Sequence, residues 1–365
     1  MDDIRTEARA EATPAERRVI ASAVAPARTP PAAPAAAGGQ VPAARAGRRD
    51  LLDLDDYTAE EITGILDSAE GMREVLSRDV RKTPALRGKT VITLFYEAST
   101  RTRVSFERAG KALSADVITV SADASSVTKG ESLLNTALTL QAMHADAIVM
   151  RHPHSGAPYF VARNVDASVI NAGDGSHAHP TQALLDMFTV RRRLGALAGK
   201  KVAIIGDILY SRVARSNMIG LRKMHAEVVV CGPPTLLPPG FEPGKAVPEG
   251  QPFEGVRVAV SAEEACEGAD VVMALRIQKE RQSAGHLPDL REYSVRWGVN
   301  ARRMGMARPG ALLMHPGPMN EGVEISSDVA HGAQSVIQEQ VRNGVAVRMA
   351  VLYALCAGRR DGTNG

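Results

Sequence analysis

At 365 residues and 44% hydrophobic, the chain is long enough for two compact α/β domains and too long for one small module. A formal net charge of +3 excludes bulk charge as a means of binding nucleic acid or a membrane surface. Cys231, Cys266 and Cys356 form neither a CxxC pair nor an even framework, and no apolar run approaches a membrane span. The expectation is a soluble, cytoplasmic protein with buried thiols.

Ala, Pro, Arg and Gly dominate residues 1–48, which contain few large apolar side chains and no apolar secretory core, so a disordered tail is expected there. An Arg-rich organelle leader is the alternative, against which Asp2, Asp3, Glu7, Glu11 and Glu16 count. From Asp50 the pattern changes. Asp56 or Thr58 can cap a helix in which Ile62, Ile65, Leu66 and Ala69 recur at helical spacing. Short β-branched runs then alternate with helical stretches. Before residue 180 the candidate strands are Val91–Phe95, Val117–Val120, Ala147–Met150 and Val169–Asn171. After it they are Val202–Ile205, Val228–Cys231, Val271–Leu275 and Leu312–His315. Apolar runs of this length separated by helices predict an α/β fold of two doubly wound parallel sheets with helices on both faces, bridged by a helix from Thr181 to about Leu194. In such sheets ligands bind beyond the carboxyl ends of the strands.

The first strand runs into Glu97-Ala98-Ser99-Thr100-Arg101-Thr102-Arg103 ahead of a helical stretch. Hydroxyls, a guanidinium and the N–H groups of a helix start together make an anion site, most naturally for phosphate. A Ser/Thr cap with solvated arginines is the competing reading. Ser125-Ser126-Val127-Thr128-Lys129-Gly130 and Arg151, directly after the third strand, deliver further hydroxyls and cations to the same edge. Singly, Lys129 and Arg151 read as ordinary edge charges; their convergence raises them.

A glycine-rich loop, Asn171–Ala178, leads to His179-Pro180-Thr181-Gln182, with Pro180 in the first turn of a helix. His179 and Gln182 are three apart, so an imidazole and an amide can face one pocket and donate to a carbonyl oxygen that gains charge. A neutral core or capping histidine is the alternative. The pairs His152/His154 and His177/His179 invite a metal, but only Asp174 stands beside them as a carboxylate, and neither a metal nor a cofactor is expected. The turn Gly206–Asn217 lacks the glycine spacing of a dinucleotide site, which disfavours a nicotinamide-dependent oxidoreductase. Arg212 and Arg276 stand at strand ends of the second sheet, where two planar forks suit a dicarboxylate, and Arg281 and Lys279 nearby can be surface charges. His315-Pro316-Gly317-Pro318 is a rigid turn whose carbonyls can accept from an amine, although a purely structural turn fits equally.

The segments Ser99–Arg103, Lys129–Glu131, Met150–Pro153, His179–Gln182, Arg276–Glu280 and His315–Pro318 together resemble the aspartate/ornithine carbamoyltransferase family, most closely its aspartate-using catalytic chains, over about residues 50–357. The resemblance implies that Ser99, Thr100, Arg101, Thr102 and Arg151 hold the phosphate of carbamoyl phosphate. Thr102, Arg151 and His179 would contact the carbonyl oxygen, and Gln182 the carbamoyl amine. Arg212, Arg276 and Gln278 would take the carboxylates of L-aspartate, with Pro316 and Gly317 beside both substrates. Ser125 and Lys129 would enter from a neighbouring subunit of a homotrimer, for which regulatory chains or a second pathway enzyme are candidate partners. It also implies a carbamoyl-phosphate domain of residues 49–182 with a returning helix at 335–357, and an aspartate domain of residues 183–334. An ornithine enzyme would need acidic partners and a cysteine-containing loop, which His315–Pro318 does not supply; a catalytically silent binding paralogue is the other alternative. Glu321 departs from the pattern, since many relatives carry an arginine near it.

Overall fold

The computed structural model describes residues 48–121, 131–277 and 289–357. The expected tail, Ser125 and Lys129, and the segment from Gln278 through Lys279 and Arg281 therefore lie outside the described residues, apart from Arg48 at the tail's end.

The first half runs α1 (Ala59–Ser77), β1 (Thr90–Phe95), α2 (Thr100–Ala112), β2 (Asp116–Ser121), α3 (Leu133–Ala142), β3 (Ala147–His152), α4 (Ala157–Ala162), β4 (Ser168–Asp174) and α5 (Pro180–Leu194). The second runs β5 (Lys201–Ile205), α6 (Arg212–Lys223), β6 (Glu227–Cys231), β7 (Arg257–Val258), α7 (Ala262–Cys266), β8 (Val271–Ala274), α8 (Leu290–Trp297), α9 (Ala301–Met304), β9 (Leu312–Met314), α10 (Ser327–Ala330) and α11 (Ile337–Cys356). Thr58, rather than Asp56, starts α1. Its hydroxyl accepts from the Glu61 N–H at 3.2 Å while the Glu61 carboxylate accepts from the Thr58 N–H at 2.8 Å, a reciprocal cap that contributes about 1 kcal/mol.

Every strand pairing is parallel, in the orders β2-β1-β3-β4 and β7-β6-β5-β8-β9. Each predicted strand is present. β7 was not expected, because two residues carry no periodicity and only pairing with β6 defines them. In each sheet the winding reverses at the centre, between β1 and β3 and between β5 and β8. Crevices at the carboxyl ends of those strand pairs are where an open α/β sheet takes its ligand.

Helices α5 and α11 join the halves. α11 packs on α1, α2 and α5, and α5 on α6. The largest apolar cluster extends from Leu66 and Val91 through Phe188 and Val347 to Ile204 and Val230. Full burial of each such side chain is worth roughly 1.5–3 kcal/mol, which makes this shared core the main restraint on how the two crevices face. Burial pushes the thiol of Cys231 up to about 12 and that of Cys266 up to about 11, so both behave as small apolar side chains. No helix among the described residues is long and apolar enough to cross a membrane.

Candidate functional site

The turn after β1 supplies the first wall of a cavity of about 930 Å³. Ser99 sits at the start of α2 in extended conformation, with φ −159°, and its side chain makes no capping bond. The competing reading of a plain hydroxyl cap therefore does not describe it. Thr102 is buried, and Ser99, Thr100, Arg101 and Thr102 all line the cavity. Burial, and then the nearby charge of Arg276, lowers the pKa of Arg101. Two guanidiniums brought within range of each other in a partly dry cavity define a place where an anion is stabilised.

Arg151 follows at the end of β3, where the register with β4 shifts between Met150 and His152. The extra residue falls on β4, between Asn171 and Asp174, while Arg151 keeps its regular place opposite Phe95 of β1 and lines the cavity. Its Nη2 donates to Glu97 Oε1 at 2.5 Å and its Nη1 to the Ala172 carbonyl at 3.3 Å. The same Glu97 carboxylate accepts from Arg212 across the crevice, at 2.7 Å to Oε1 and 3.1 Å to Oε2. Arg212, the first residue of α6 and only 4% exposed, also donates to the Gly175 carbonyl at 3.1 Å. Glu97 thus ties the two sheets' arginines together. Sequence reasoning gave it no role, although an acid directly before a run of hydroxyls and arginines was a visible signal.

His179 is the N-terminal cap residue of α5, where Pro180 leads the helix. The His179 backbone N–H donates to Ser216 Oγ of α6 at 2.9 Å, which ties the start of α5 to the second half. Gln182 lies one turn further on, with its Nε2 donating to Asp186 Oδ1 at 3.0 Å. The opposite wall is the Pro316–Gly317 turn. Gly317 has φ +66°, which L side chains rarely adopt, and a Cβ there would lie 2.7 Å from Arg101 Nη1, so a side chain would have to displace that guanidinium. Arg276, at the end of β8, closes the ring. Every described residue of the predicted site lines this one cavity: Ser99–Thr102, Arg151, His179, Gln182, Arg212, Arg276, Pro316 and Gly317.

The family model for the carbamoyl-P binding domain of aspartate/ornithine carbamoyltransferases matches residues 49–192, and that for the Asp/Orn binding domain matches residues 198–355. The chain belongs to the aspartate/ornithine carbamoyltransferase family. An aspartate carbamoyltransferase catalytic subunit of Pelotomaculum thermopropionicum is 59% identical over 310 residues, which is 85% of this chain and 97% of that one. Aspartate transcarbamoylase of Trypanosoma cruzi in complex with carbamoyl phosphate superposes with a TM-score of 0.76 at 29% identity, covering 86% of this chain and 98% of that one. Ornithine carbamoyltransferase of Pyrococcus furiosus gives 0.74 at 30% identity, with the same coverage.

Within this carbamoyltransferase the remaining histidines have other engagements. His152 Nδ1 accepts from the His154 N–H at 3.0 Å, and its ring rests on Tyr96. His177 Nδ1 lies 3.1 Å from Asp174 Oδ2, a hydrogen bond that raises the pKa of the imidazole. Among the described residues no group of three or more His, Cys, Asp or Glu is placed to hold a metal ion. Glu321 is exposed, 3.2 Å from His331 Nε2 and 2.6 Å from Ser327 Oγ, and is not one of the residues that line the cavity.

One buried acid beside the site carries a stability prediction. Burial pushes Asp53 up to about 6, against the opposing effects of a 2.7 Å bond from the Leu54 N–H and of His177, whose Nε2 is 3.7 Å away. Between an unfolded value of 3.8 and about 6 the folded chain holds the extra proton, so stability falls as pH rises through that window. Above it the penalty is fully present. Asp53→Asn keeps an acceptor for Leu54 and is expected to raise stability by roughly 1–3 kcal/mol at about pH 7.5 and by little near pH 4. Thermal melts of both proteins at the two pH values check this. A variant less stable at the higher pH would mean that the His177 contact outweighs burial.

Proposed function

We propose that this carbamoyltransferase transfers the carbamoyl group of carbamoyl phosphate to the amine of L-aspartate, giving N-carbamoyl-L-aspartate and phosphate, a step of de novo pyrimidine biosynthesis. The observation that carries the reading is the charge of the cavity. Arg101, Arg151, Arg212, Arg276 and Arg348 line it, and Glu97, already bonded to Arg151 and Arg212, is the one carboxylate among its described lining residues. A second substrate with two carboxylates fits that balance, whereas ornithine brings a side-chain cation that would need an acidic partner. The backbone cannot make the distinction, because the likeness extends to an ornithine enzyme. The 59% identical relative named as an aspartate carbamoyltransferase catalytic subunit supports the same choice.

In this reading the neutral aspartate amine attacks the carbonyl carbon, a C–N bond forms, the bond from carbon to the phosphate oxygen breaks, and the departing phosphate takes the amine proton. Ser99, Thr100, Arg101 and Thr102 hold the phosphate; Thr102, Arg151 and His179 face the carbonyl oxygen; Gln182 and the Pro316–Gly317 carbonyls accept from the carbamoyl NH2. Arg212 and Arg276, with Gln278, take the aspartate carboxylates. The protein contributes by orienting two anions that repel each other and by aiming fixed positive charge at the oxygen that gains it. Residues 49–182 with 335–357 would form the carbamoyl-phosphate half and residues 183–334 the aspartate half. A cytoplasmic homotrimer in which Ser125 and Lys129 reach a neighbour's site completes the proposal.

Product formation from carbamoyl phosphate with L-aspartate and, separately, with L-ornithine tests it. Turnover confined to aspartate is the expected result. Turnover confined to ornithine would overturn the acceptor assignment, and binding of carbamoyl phosphate without turnover of either amine would favour a silent paralogue.

A further inference from the structure

Asp186 is fully buried on α5, one turn beyond Gln182, and does not itself line the cavity. Three amide groups from three helices converge on its carboxylate. Gln182 Nε2 donates to Oδ1 at 3.0 Å, Gln340 Nε2 of α11 to Oδ1 at 2.8 Å, and Asn217 Nδ2 of α6 to Oδ2 at 2.9 Å. An ionised carboxylate only accepts, so each amide must present its NH2 to it. That choice fixes the other end of each amide. Gln182 is left with its carbonyl oxygen for the cavity. Gln340 is left with Oε1, which accepts from the His315 N–H at 3.0 Å, and His315 Nδ1 in turn accepts from the Gly317 N–H at 2.8 Å. The orientation of a cavity amide and the seating of the proline turn therefore depend on one acid.

We propose that Asp186 is a positioning residue for recognition of the carbamoyl NH2: it aims the Gln182 carbonyl oxygen at that group and, through Gln340, seats the Pro316–Gly317 turn whose carbonyls accept from it. The inference rests on the reading of Gln182 and that turn given above. Burial pushes Asp186 up to about 6, with the three amides and the positive charge of Arg348 acting in the other direction, so the carboxylate is mainly ionised at neutral pH. Asparagine at this position removes the charge at nearly constant volume. Because it can donate as well as accept, it permits Gln182 and Gln340 to turn over, which would aim an NH2 at the carbamoyl NH2.

The discriminating probe is acetyl phosphate, in which a methyl group replaces the carbamoyl NH2. Equilibrium binding of carbamoyl phosphate and of acetyl phosphate is measured on the full-length protein and on Asp186→Asn. Carbamoyl phosphate is expected to bind roughly 10-fold more weakly to the variant, and acetyl phosphate within about 2-fold of wild type, as the loss of one to two hydrogen bonds to the amine requires. Equal losses for both probes would make Asp186 merely structural, and no loss for either would also overturn the proposal. If Asp186→Asn does not fold, Gln340→Leu removes both the bond from Gln340 to Asp186 and the bond it accepts from the His315 N–H while leaving Gln182 on Asp186, and is expected to shift the same ratio by about 3-fold; an unchanged ratio counts against the proposal. Gln182→Leu separates the two readings. An unchanged ratio there removes Gln182 as an acceptor and the proposal with it, whereas a loss in Gln182→Leu with none in Asp186→Asn overturns the role of Asp186 alone.

Discussion

Replacing Arg151 with alanine is expected to lower turnover by about 10²- to 10³-fold in a protein that remains folded, the usual cost of removing one preorganised charged donor from a site where negative charge develops. The side chain is 11% exposed and held by Glu97 at 2.5 Å, so it is aimed before any substrate arrives and little reorganisation is needed during reaction. The fold should survive because the variant does not strand an acid: Glu97 keeps both of its contacts to Arg212. The variant also loses the 3.3 Å bond to the Ala172 carbonyl, worth about 1 kcal/mol. Steady-state rates together with a thermal melt check the expectation, and near-native turnover would remove Arg151 from the proposed chemistry. Arg151→Lys is a useful companion. A lysine restores the charge as a point and not as a planar fork, so a partial recovery is expected.

The second large effect is expected from Gly173→Ala, a change of one methyl group at a residue that touches no proposed substrate position. Gly173 has φ +116°, a backbone conformation that L side chains rarely adopt. A Cβ placed there would lie 2.8 Å from Arg212 Nε and 2.9 Å from its Cζ, and 3.2 Å from Arg151 Nη1. Neither arginine can simply swing away, since both are bound to Glu97 and Arg212 is also bound to the Gly175 carbonyl. The substitution therefore meets about 1–3 kcal/mol of backbone strain and displaces both guanidiniums together. A misplacement of about 1 Å at such groups can cost on the order of 10²-fold in rate. We expect a rise in KM for aspartate, a fall in kcat on that order, and a lowered melting temperature. Wild-type kinetics in the alanine variant would show that the two arginines tolerate displacement and that their alignment is not what the site depends on.

Much of this protein is legible without coordinates, and the reason differs by feature. The eight expected strands are short apolar runs between turn residues, and parallel sheets buried on both faces write themselves into a sequence in that form. The first helix declares its start through Thr58 and Glu61, whose spacing is local. The proposed phosphate turn is also local: Ser99, Thr100, Arg101 and Thr102 are consecutive, so one strand-to-helix connection delivers all of them to the cavity. The family motifs are local for the same reason.

What tertiary structure alone decided are the relations between residues distant in the chain. Glu97 is 54 residues from Arg151 and 115 from Arg212, and nothing in the spacing of an acid and two arginines marks them as one cluster. The Asp186 network joins α5, α6 and α11, with Gln340 154 residues away in sequence. β7, only two residues long, is a strand because β6 lies beside it. Sequence by itself determined the eight expected strands, the hydroxyl- and arginine-rich turn after β1 and the inventory of charges, because helix caps, strand periodicity and strand-end turns are set within a few residues. Packing determined which charges face one another and which way each buried amide points, because those depend on the shared core that α5 and α11 build between the two sheets.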